Sequence, residues 1–420
     1  MSLFLLCLTA RICFGQTELD KQMTGAWDAT WAHFYSPQTR LFYDFLQSLE
    51  PGKTLDHLPT QNEVETLSPN VYGYGTAMED CAISGGVALE ALILRYGNEK
   101  RLGASASELA TIKSQAQDVF SGLELLTTVS GSPGFVARGV SPKAPGKCYI
   151  NSSRDQVTHL SGAVWEYSVS ELSDVQSRAR AADILYAIAD RMTRNVIPEN
   201  DYDFLCADGS RCRNGICRMK EVEDHEAARL TMIYAVAYDV AKRQGDQARE
   251  KEYWARWREL ADATVAQSAH IRENTALSGR MPAYALLQMQ ESLAILYRLE
   301  PDVELRESLS QTLDYVADLA KARQHRALNA LKTRDLTVLA PPWRVVGGLT
   351  GEYRACWYAP RECGELALTI ALNPQKDSLD AESLEVLKTA LTTPDYWKLT
   401  SCGILHLLQA YELARSLGKL

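Results

Sequence analysis

The spacing of apolar residues is typical of helices along almost the whole chain. Apolar positions recur at helical intervals in one segment after another, and no convincing run alternates between apolar and polar residues. The pattern predicts twelve helices, near residues 19–47, 82–97, 105–128, 157–171, 174–195, 226–244, 249–271, 282–298, 303–330, 362–372, 380–391 and 402–416. We therefore expect an all-α fold.

The lengths of the links between these helices predict how they are arranged. Short links, which antiparallel neighbours require, lie inside four pairs of helices: residues 82–128, 157–195, 226–271 and 282–330. Long links separate the pairs, at residues 48–81, 129–156, 196–225 and 331–361. All long loops then lie at one end of an up-and-down array, and six such hairpins can close into an (α/α)6 toroid. Because no linker and no fixed-period repeat is visible, residues 16–420 are predicted to form this single domain rather than a solenoid.

Composition and charge narrow the partners of such a fold. Of the 420 residues, 46% are hydrophobic and 23% are charged, as in ordinary globular proteins. The formal net charge is −9 and no block of Lys and Arg occurs, which argues against nucleic acid as the main partner because phosphate binding requires a basic surface. After the first sixteen residues, no segment approaches the ~20 apolar residues that span a bilayer.

The N-terminus and the cysteines indicate export. Residues 1–15 are predicted to be a signal peptide cleaved after Gly15, which implies a secreted or periplasmic protein. The rest of the chain has an even set of cysteines, as expected in an oxidising compartment: Cys81, Cys148, Cys206, Cys212, Cys217, Cys356, Cys363 and Cys402. The stretch CADGSRCRNGIC, residues 206–217, is predicted to be a loop closed by a disulfide. Its cysteines lack the CxxC spacing and nearby His of a zinc site, and we predict neither a metal nor another cofactor.

Polar and aromatic residues cluster just before every second predicted helix. These stretches read YGYGTAMEDCAISGG, CYINSSRDQVTH, RMKEVEDHEAAR, ALSGRMPAY, ACWYAPRECGE and YWKLTSCG. Helix capping alone accounts for Asp80, Asp155 or Asp224 taken singly, since acidic residues accept hydrogen bonds from unpaired N–H groups. The glycines of YGYG are interpreted as a tight turn that lets the backbone approach a ligand. No phosphate-binding G-x-x-x-x-G-K-[ST] and no G-x-S-x-G nucleophile motif occurs.

Capping does not account for the residues that accompany these acids. They are Arg154, Gln156, His159 and Trp165 beside Asp155, Tyr72 and Tyr74 before Glu79 and Asp80, and Trp343, Arg344, Trp357 and Tyr358 in the last long loop. Carboxylates, aromatic faces and arginines around one cavity are typical of a carbohydrate site, because sugar rings lie on aromatic planes and hydroxyls bond to carboxylates and arginines.

The twelve-helix pattern, with carboxylates and aromatic residues at these positions, resembles the six-hairpin glycosidase superfamily. Its unsaturated glucuronyl and rhamnogalacturonyl hydrolases are the nearest comparison, over almost the whole chain after the signal. Members place a key Asp at the start of an inner helix, and Asp155 in NSSRDQ occupies a similar place, which implies an acid/base role. The sequence lacks the Trp-x-Asp-Asp turn of the closest relatives, so the resemblance implies neither their hydration mechanism nor their substrate.

The function expected from these residues is an exported glycoside hydrolase acting on an anionic glycan, one that contains uronic acid or sulfate. Asp155 would protonate the glycosidic oxygen, and Asp80 or Glu79 would activate water or stabilise the transition state. Two arginines, Arg154 and Arg138, would bind a substrate carboxylate or sulfate.

Several alternatives stay open at this stage. Asp224 and His225 form a second candidate catalytic pair, since a His titrates near neutral pH. A polysaccharide lyase is the runner-up, with a neutraliser and a base drawn from Asn151, Arg154, His159, Tyr149 and His225. A sugar epimerase agrees poorly with export and disulfides, and a non-catalytic glycan-binding or scaffold toroid would use its caps only as caps.

Overall fold

A computed structural model describes residues 17–346, 351–374 and 378–420 of the chain. The predicted signal peptide, residues 1–15, lies outside the described residues. Within them the chain forms α1 (Glu18–Phe34), β1 (Tyr35–Ser36), β2 (Leu41–Phe42), α2 (Gln61–Glu65), α3 (Cys81–Leu102), α4 (Ala106–Thr128), α5 (Arg154–Val169), α6 (Val175–Asn195), α7 (Ala228–Gln244), α8 (Gln247–Ala269), α9 (Thr275–Ser278), α10 (Ala283–Leu299), α11 (Val303–Thr333), α12 (Trp343–Val346), α13 (Gly351–Ala371), α14 (Ala381–Thr392) and α15 (Ile404–Ser416). The expected all-α class is confirmed, because the two short strands are the only sheet in the described part of the chain.

Six helices, which we call the central helices, contact one another in chain order, and the last returns to the first. The contacts run from α3 to α5, α7, α10, α13 and α15, and from α15 back to α3. Their surfaces are apolar on most sides, and the residues of α5 and α7 in particular are mostly buried. Close approach is helped by Gly86, since a Cβ there would lie 3.0 Å from the His159 carbonyl oxygen on the neighbouring helix.

The peripheral helices are α1, α4, α6, α8, α11 and α14, and each packs on at least one central helix. They are amphipathic and begin with ordinary caps. On α4, for example, Ser105 accepts from the Glu108 backbone N–H while the Glu108 side chain accepts from the Ser105 backbone. On all six peripheral helices the N-cap side chain accepts a hydrogen bond from a backbone N–H of the first turn; the caps are Thr17, Ser105, Asp174, Asp246, Asp302 and Asp380.

Two helix boundaries differ from the sequence-based expectation by more than ten residues. The helix predicted over residues 19–47 ends at Phe34, and β1 pairs with β2 in a small antiparallel hairpin. Pro37 explains this end, because a proline disfavours helical geometry in the residue before it.

The helix predicted over residues 362–372 begins at Gly351, so Pro360 lies inside α13. The segment predicted as a long loop, residues 331–361, is therefore largely helical, although residues 347–350 lie outside the description. No helix in the described ranges combines the length and apolarity that crossing a membrane requires.

Candidate functional site

Asp80, which directly precedes α3, contacts the loop before α5, the first turn of α5 and the middle of α13. Its Oδ1 accepts hydrogen bonds from Arg138 at 3.1 Å and from Gln156 of α5 at 2.9 Å, and its Oδ2 accepts from Arg361 of α13 at 2.8 Å. Only 16% of the side chain is exposed. Burial raises the pKa of Asp80, but Arg361 and Arg138 outweigh it and hold this pKa below its ordinary value. Asp80 is thus an ionised anchor that joins three segments.

Asp155, in the first turn of α5, is held more loosely. One of its oxygens pairs with Arg229 of α7, and Arg229 also donates to Gln288 of α10 at 2.7 Å. The Asp155 side chain is 32% exposed. Burial raises its pKa, but Arg229 dominates and lowers this pKa below the usual range. Asp155 is therefore an ionised carboxylate that solvent can reach.

Glu79 differs from both aspartates in its ionisation. Its two oxygens accept hydrogen bonds from the backbone N–H groups of Gly75 and Ala77, each at 3.0 Å. Burial, and then the neighbouring Asp80 charge, raise the pKa of Glu79 to about 7. The Arg138 guanidinium interacts electrostatically with Glu79, Asp80 and Asp155, so the three carboxyl groups share one neighbourhood. A proton donor and ionised carboxylates are thereby available at the same pH.

The side chains at these central starts do not cap their helices. Asp80 occupies the N-cap position of α3 and Ser153 that of α5, yet neither side chain accepts from its helix. Ser153 instead accepts from Arg138 at 3.0 Å. In the described part of the chain, α7, α10 and α15 also begin without a side-chain cap, and the start of α13 adjoins residues outside the description. Capping therefore does not explain these carboxylates.

Two tyrosines are exposed beside the carboxyl cluster. Tyr74 is 40% exposed, but Tyr72 stacks on it at 4.9 Å and the Arg138 guanidinium lies 4.6 Å from its ring centroid, which leaves mainly its edge and hydroxyl for a ligand. Tyr284, in the first turn of α10, is 37% exposed, and no ring contact to it exists among the described residues. It interacts electrostatically with Asp155 and Arg229. Tyr284 is thus the better candidate for a sugar platform, and sequence reasoning did not single it out.

The YGYG turn packs closely against another part of the protein. Gly73 and Gly75 both have left-handed backbone angles, with φ of 70° and 87°. A Cβ at Gly73 would lie 2.5 Å from the ring of Tyr149, so close packing within the protein requires this glycine. The Tyr72 hydroxyl donates to the Arg213 carbonyl at 2.9 Å and is not available to a ligand.

The two arginines expected to bind substrate are both engaged within the protein. Arg154 pairs with Glu226 and donates to the carbonyl oxygens of Gly215 at 2.8 Å and Arg218 at 3.3 Å. Arg138 is buried and binds Asp80 and Ser153. Neither presents a free fork to an anionic group in this structure.

Three more candidates on α5 lie below the surface. Gln156 is fully buried and orients Asp80. His159 is buried between Glu291, at 3.0 Å, and Gln288, at 3.3 Å. Trp165 is buried and donates to Asp239 at 2.9 Å. None of the three can touch a ligand at the surface, although Gln156 holds Asp80, which lies closer to the surface.

The aromatic and basic residues of the last predicted loop are structural. Trp343 is buried and donates to the His57 carbonyl at 2.8 Å, and Arg344 pairs with Glu63. Trp357 is buried against the Asp44 carbonyl at 2.6 Å. Both indole rings pack inside the protein, so neither Trp343 nor Trp357 lines an open cavity in this structure.

Tyr358 lies deeper in the same network. Its hydroxyl donates to Glu365 at 2.7 Å and accepts from the backbone N–H of Tyr284 at 3.3 Å. Tyr358 therefore supports the first turn of α10, on which the exposed Tyr284 ring sits.

Asp224 and His225 form a short 3-10 turn before α7. His225 is mostly buried, its Nε2 lies 3.9 Å from Glu226, and burial lowers the pKa of His225 below its usual value. Glu226 in turn lies 3.9 Å from Arg229, the partner of Asp155. The pair is thus next to the carboxyl cluster, with a neutral imidazole at neutral pH.

A polar cavity of about 770 Å³ opens beside Arg154 and Glu226. The segment from Asp201 to Glu223 forms most of its wall, including Cys212 and Arg218. All eight cysteines of the described chain are free thiols, so the expected disulfide is not formed in this structure. No cluster of three or more His, Cys, Asp or Glu suited to a metal ion occurs in the described ranges.

Sequence reasoning missed three residues that organise the site: Arg229, Gln288 and Arg361. Each lies within a central helix rather than before it, and each is buried. A signal was available for the arginines, since Arg229 and Arg361 lie in the largely apolar stretches ARLTMIYAVAYDV and APRECGELALTIA, and charged residues are rarely buried unless they are paired. No family model matches the chain, and no curated protein matches it either.

Proposed function

We propose that the six central helices close into the inner wall of an (α/α)6 toroid with the carboxyl cluster at its mouth. The contact that returns from α15 to α3 supports this arrangement, as does the position of the peripheral helices outside it. Loops that lead into the central helices would then surround one opening, where ligands of helical barrels can bind.

For its activity, we propose that the protein is a secreted or periplasmic glycoside hydrolase. The observation that carries this proposal is that one cluster contains both a protonated and an ionised carboxyl group. Glu79 holds a proton up to about pH 7, while the lowered pKa of Asp155 keeps it ionised. Glycosidic bonds are cleaved by this kind of pair, one carboxylic acid and one carboxylate.

The proposed roles differ from those expected from the sequence. Glu79 is the general acid that protonates the leaving glycosidic oxygen, since Asp155 has too low a pKa to carry that proton. Asp155 is the carboxylate that acts on water or on the anomeric carbon. Asp80 is a positioning residue, because its contacts with Arg138, Gln156 and Arg361 fix the neighbourhood of both.

The proposed substrate is a glycan. Anionic glycans are the first to be tested, because arginines surround the carboxyl cluster. Since Arg138 and Arg154 are both engaged within the protein, neutral glycans belong in the same panel. Tyr284 offers its ring to a sugar face beside Asp155.

The lyase alternative has less support. Three of the residues expected to serve a lyase are buried and engaged within the protein. Asn151 accepts a hydrogen bond from Cys206 at 3.0 Å, and the Tyr149 hydroxyl donates to the Ser68 carbonyl. His159 is buried against Glu291. Only His225 and Arg154 stay near the surface of the cluster.

The experiment is an assay of the purified protein on uronate-containing, sulfated and neutral glycans. New reducing ends without ultraviolet absorbance from an unsaturated uronate indicate hydrolysis, and a rise of that absorbance indicates elimination. We expect Glu79→Gln to abolish hydrolysis and Glu259→Gln to retain it, because Glu259 is an exposed carboxylate on the peripheral helix α8, where it pairs with Arg256. Binding without turnover on every glycan, or turnover unchanged in Glu79→Gln, would contradict the proposal.

A further inference from the structure

A continuous chain of side-chain contacts runs from Asp155 at the candidate site into the interior of the protein. Asp155 pairs with Arg229 of α7, and the Arg229 Nη2 donates to the Gln288 Oε1 of α10 at 2.7 Å. The Gln288 Nε2 lies 3.3 Å from the His159 Nε2, and the His159 Nδ1 lies 3.0 Å from the Glu291 Oε2. Because Arg229, Gln288 and His159 are all buried, bulk water does not compete for these contacts.

The arginine determines the direction of every hydrogen bond in this chain. A guanidinium can only donate, so Gln288 must turn its oxygen to Arg229 and its NH2 group to His159. The NH2 group also can only donate, so the His159 Nε2 must accept and carries no proton. A neutral imidazole then has its proton on Nδ1, from which it donates to Glu291. While the chain is intact, the ring is neither an imidazolium nor the Nε2–H tautomer.

We propose that His159 is a positioning residue for Asp155, and that it acts through Gln288 and Arg229 in the Nδ1–H form that Glu291 stabilises. As an acceptor, the His159 Nε2 keeps the Gln288 oxygen turned toward Arg229, which in turn pairs with Asp155. Without that acceptor, the Gln288 NH2 group is a buried donor that lacks a partner. This favours rotamers of Gln288 that no longer face Arg229, and the guanidinium loses the contact that holds it beside Asp155.

Other ionisable groups nearby do not offer the His159 ring a second partner. Glu365 of α13 and His406 of α15 interact with it only electrostatically, and Glu90 of α3 interacts in the same way with Glu291. Among the described residues, the ring has no hydrogen bond besides the two in the chain. The proton on Nδ1 and the lone pair on Nε2 therefore each have one partner.

The first test is nitrogen-15 NMR of the full chain labelled in its histidines, with His159→Gln identifying the ring resonances. We expect a protonated Nδ1 and an unprotonated Nε2 at neutral pH. Gln288→Glu should protonate Nε2, because a carboxylate accepts from both Arg229 and His159. Gln290→Met is the matched control, since Gln290 is equally buried on α10 but donates to the Leu313 carbonyl at 3.2 Å, and it should leave the His159 resonances unchanged. A protonated Nε2 in the unaltered protein would overturn the proposal.

The second test measures whether the ring acts on Asp155. His159→Gln offers an amide oxygen that can accept from Gln288, whereas His159→Phe has a ring without an acceptor. In carbon-13 NMR of the aspartate carboxyl carbons, the pKa of Asp155 should rise toward its ordinary value in His159→Phe, because the Arg229 contact that lowers it is weakened, and should stay low in His159→Gln. The value of kcat should fall about 10²-fold in His159→Phe, and His159→Gln should recover most of it. An unchanged Asp155 titration in a folded His159→Phe protein would overturn the proposal.

The importance of this chain for hydrolysis rests on the proposed function, but neither NMR measurement needs turnover. If the predicted tautomer and the Asp155 shift are found and no glycan is hydrolysed, the proposed function fails and the positioning role stands. If glycans are hydrolysed and the His159 Nε2 is protonated, the positioning role fails and the hydrolase stands. Should His159→Phe not fold, the tautomer in the unaltered protein and in Gln288→Glu decides the question.

Discussion

The starts of the peripheral and central helices use similar residues for different purposes. At the peripheral starts, aspartate, serine and threonine accept hydrogen bonds from their own helices, as Asp246 does on α8. At the central starts, Asp80 and Asp155 pair with arginines of neighbouring segments. Sequence alone cannot distinguish the two uses, since both place an acid before an apolar helix. The difference shows that these two acids pair with other segments instead of capping their own helices.

A second contrast lies between the two central aspartates. Asp80 has two arginines and an amide around it and is largely buried, whereas Asp155 has one arginine and is one-third exposed. We therefore assign Asp80 to positioning the residues around it, and Asp155 to contact with a substrate.

The largest effect is expected for Asp155→Asn. Loss of the accessible carboxylate should lower kcat by about 10²-fold to 10⁴-fold on whichever glycan is hydrolysed, because the base or nucleophile is gone. Circular dichroism should show an unchanged fold. The matched control is Asp246→Asn, which retains a capping side chain on a peripheral helix and should leave kcat unchanged. Equal loss in both variants would remove the contrast between central and peripheral acids.

Asp80→Asn should act mainly on stability. Removing this charge leaves the buried guanidinium of Arg138 without an ion pair, and Arg361 retains only Glu365. We expect the free energy of unfolding to fall by about 3 kcal/mol in urea titrations. Asp155→Asn should cost about 1–2 kcal/mol, since its side chain is more exposed. If Asp155→Asn proves the more destabilising change, the assignment of Asp80 as the anchor is wrong.

The raised pKa of Glu79 predicts a pH-dependent stability. A carboxyl group whose folded pKa lies above its ordinary 4.5 stabilises the fold fully at low pH, and this contribution is lost as pH rises through about 7. Glu79→Gln cannot ionise, so relative to the unaltered protein it should gain roughly 2–3 kcal/mol between about pH 4.5 and pH 8. Unfolding free energies of both proteins across this range test the sign. A constant difference would show that Glu79 ionises normally.

The smallest effect concerns the aromatic platform. Tyr284→Ala should raise KM about tenfold with little change in kcat, because a sugar face would lose its ring contact. Tyr284→Phe should bind almost normally. Trp397→Ala removes another exposed ring, whose ring contact among the described residues is with His33, and should leave KM unchanged. Parallel KM increases for Tyr284→Ala and Trp397→Ala would argue against a specific platform.

The sequence predicts the helical class well because apolar periodicity reports directly on which faces are buried. It fails where one residue contradicts the local pattern. Pro360 looks like a helix end, yet it lies inside α13, where neighbouring helices hold the chain helical. Trp357 therefore packs inward, and its indole nitrogen bonds to the Asp44 carbonyl rather than to a ligand.

The candidate site could be predicted only in part, because its order depends on contacts between distant segments. Asp80 and Asp155 stood out as acids before apolar helices. Their partners Arg361 and Arg229 lie 281 and 74 residues away, and only folding brings them together. The ionisation of Glu79 follows from burial beside Asp80, which no local pattern shows.

The proposed mechanism requires that Glu79 holds a proton up to about pH 7 beside an ionised Asp155. Carbon-13 NMR of protein labelled at the glutamate carboxyl carbon measures this directly, with Glu79→Gln identifying the resonance. Our account predicts that this carbon titrates near pH 7 and moves to lower pH in Asp80→Asn, where the neighbouring charge is absent. Titration of Glu79 near its ordinary value of 4.5 would contradict the account, because the cluster would then lack its proton donor.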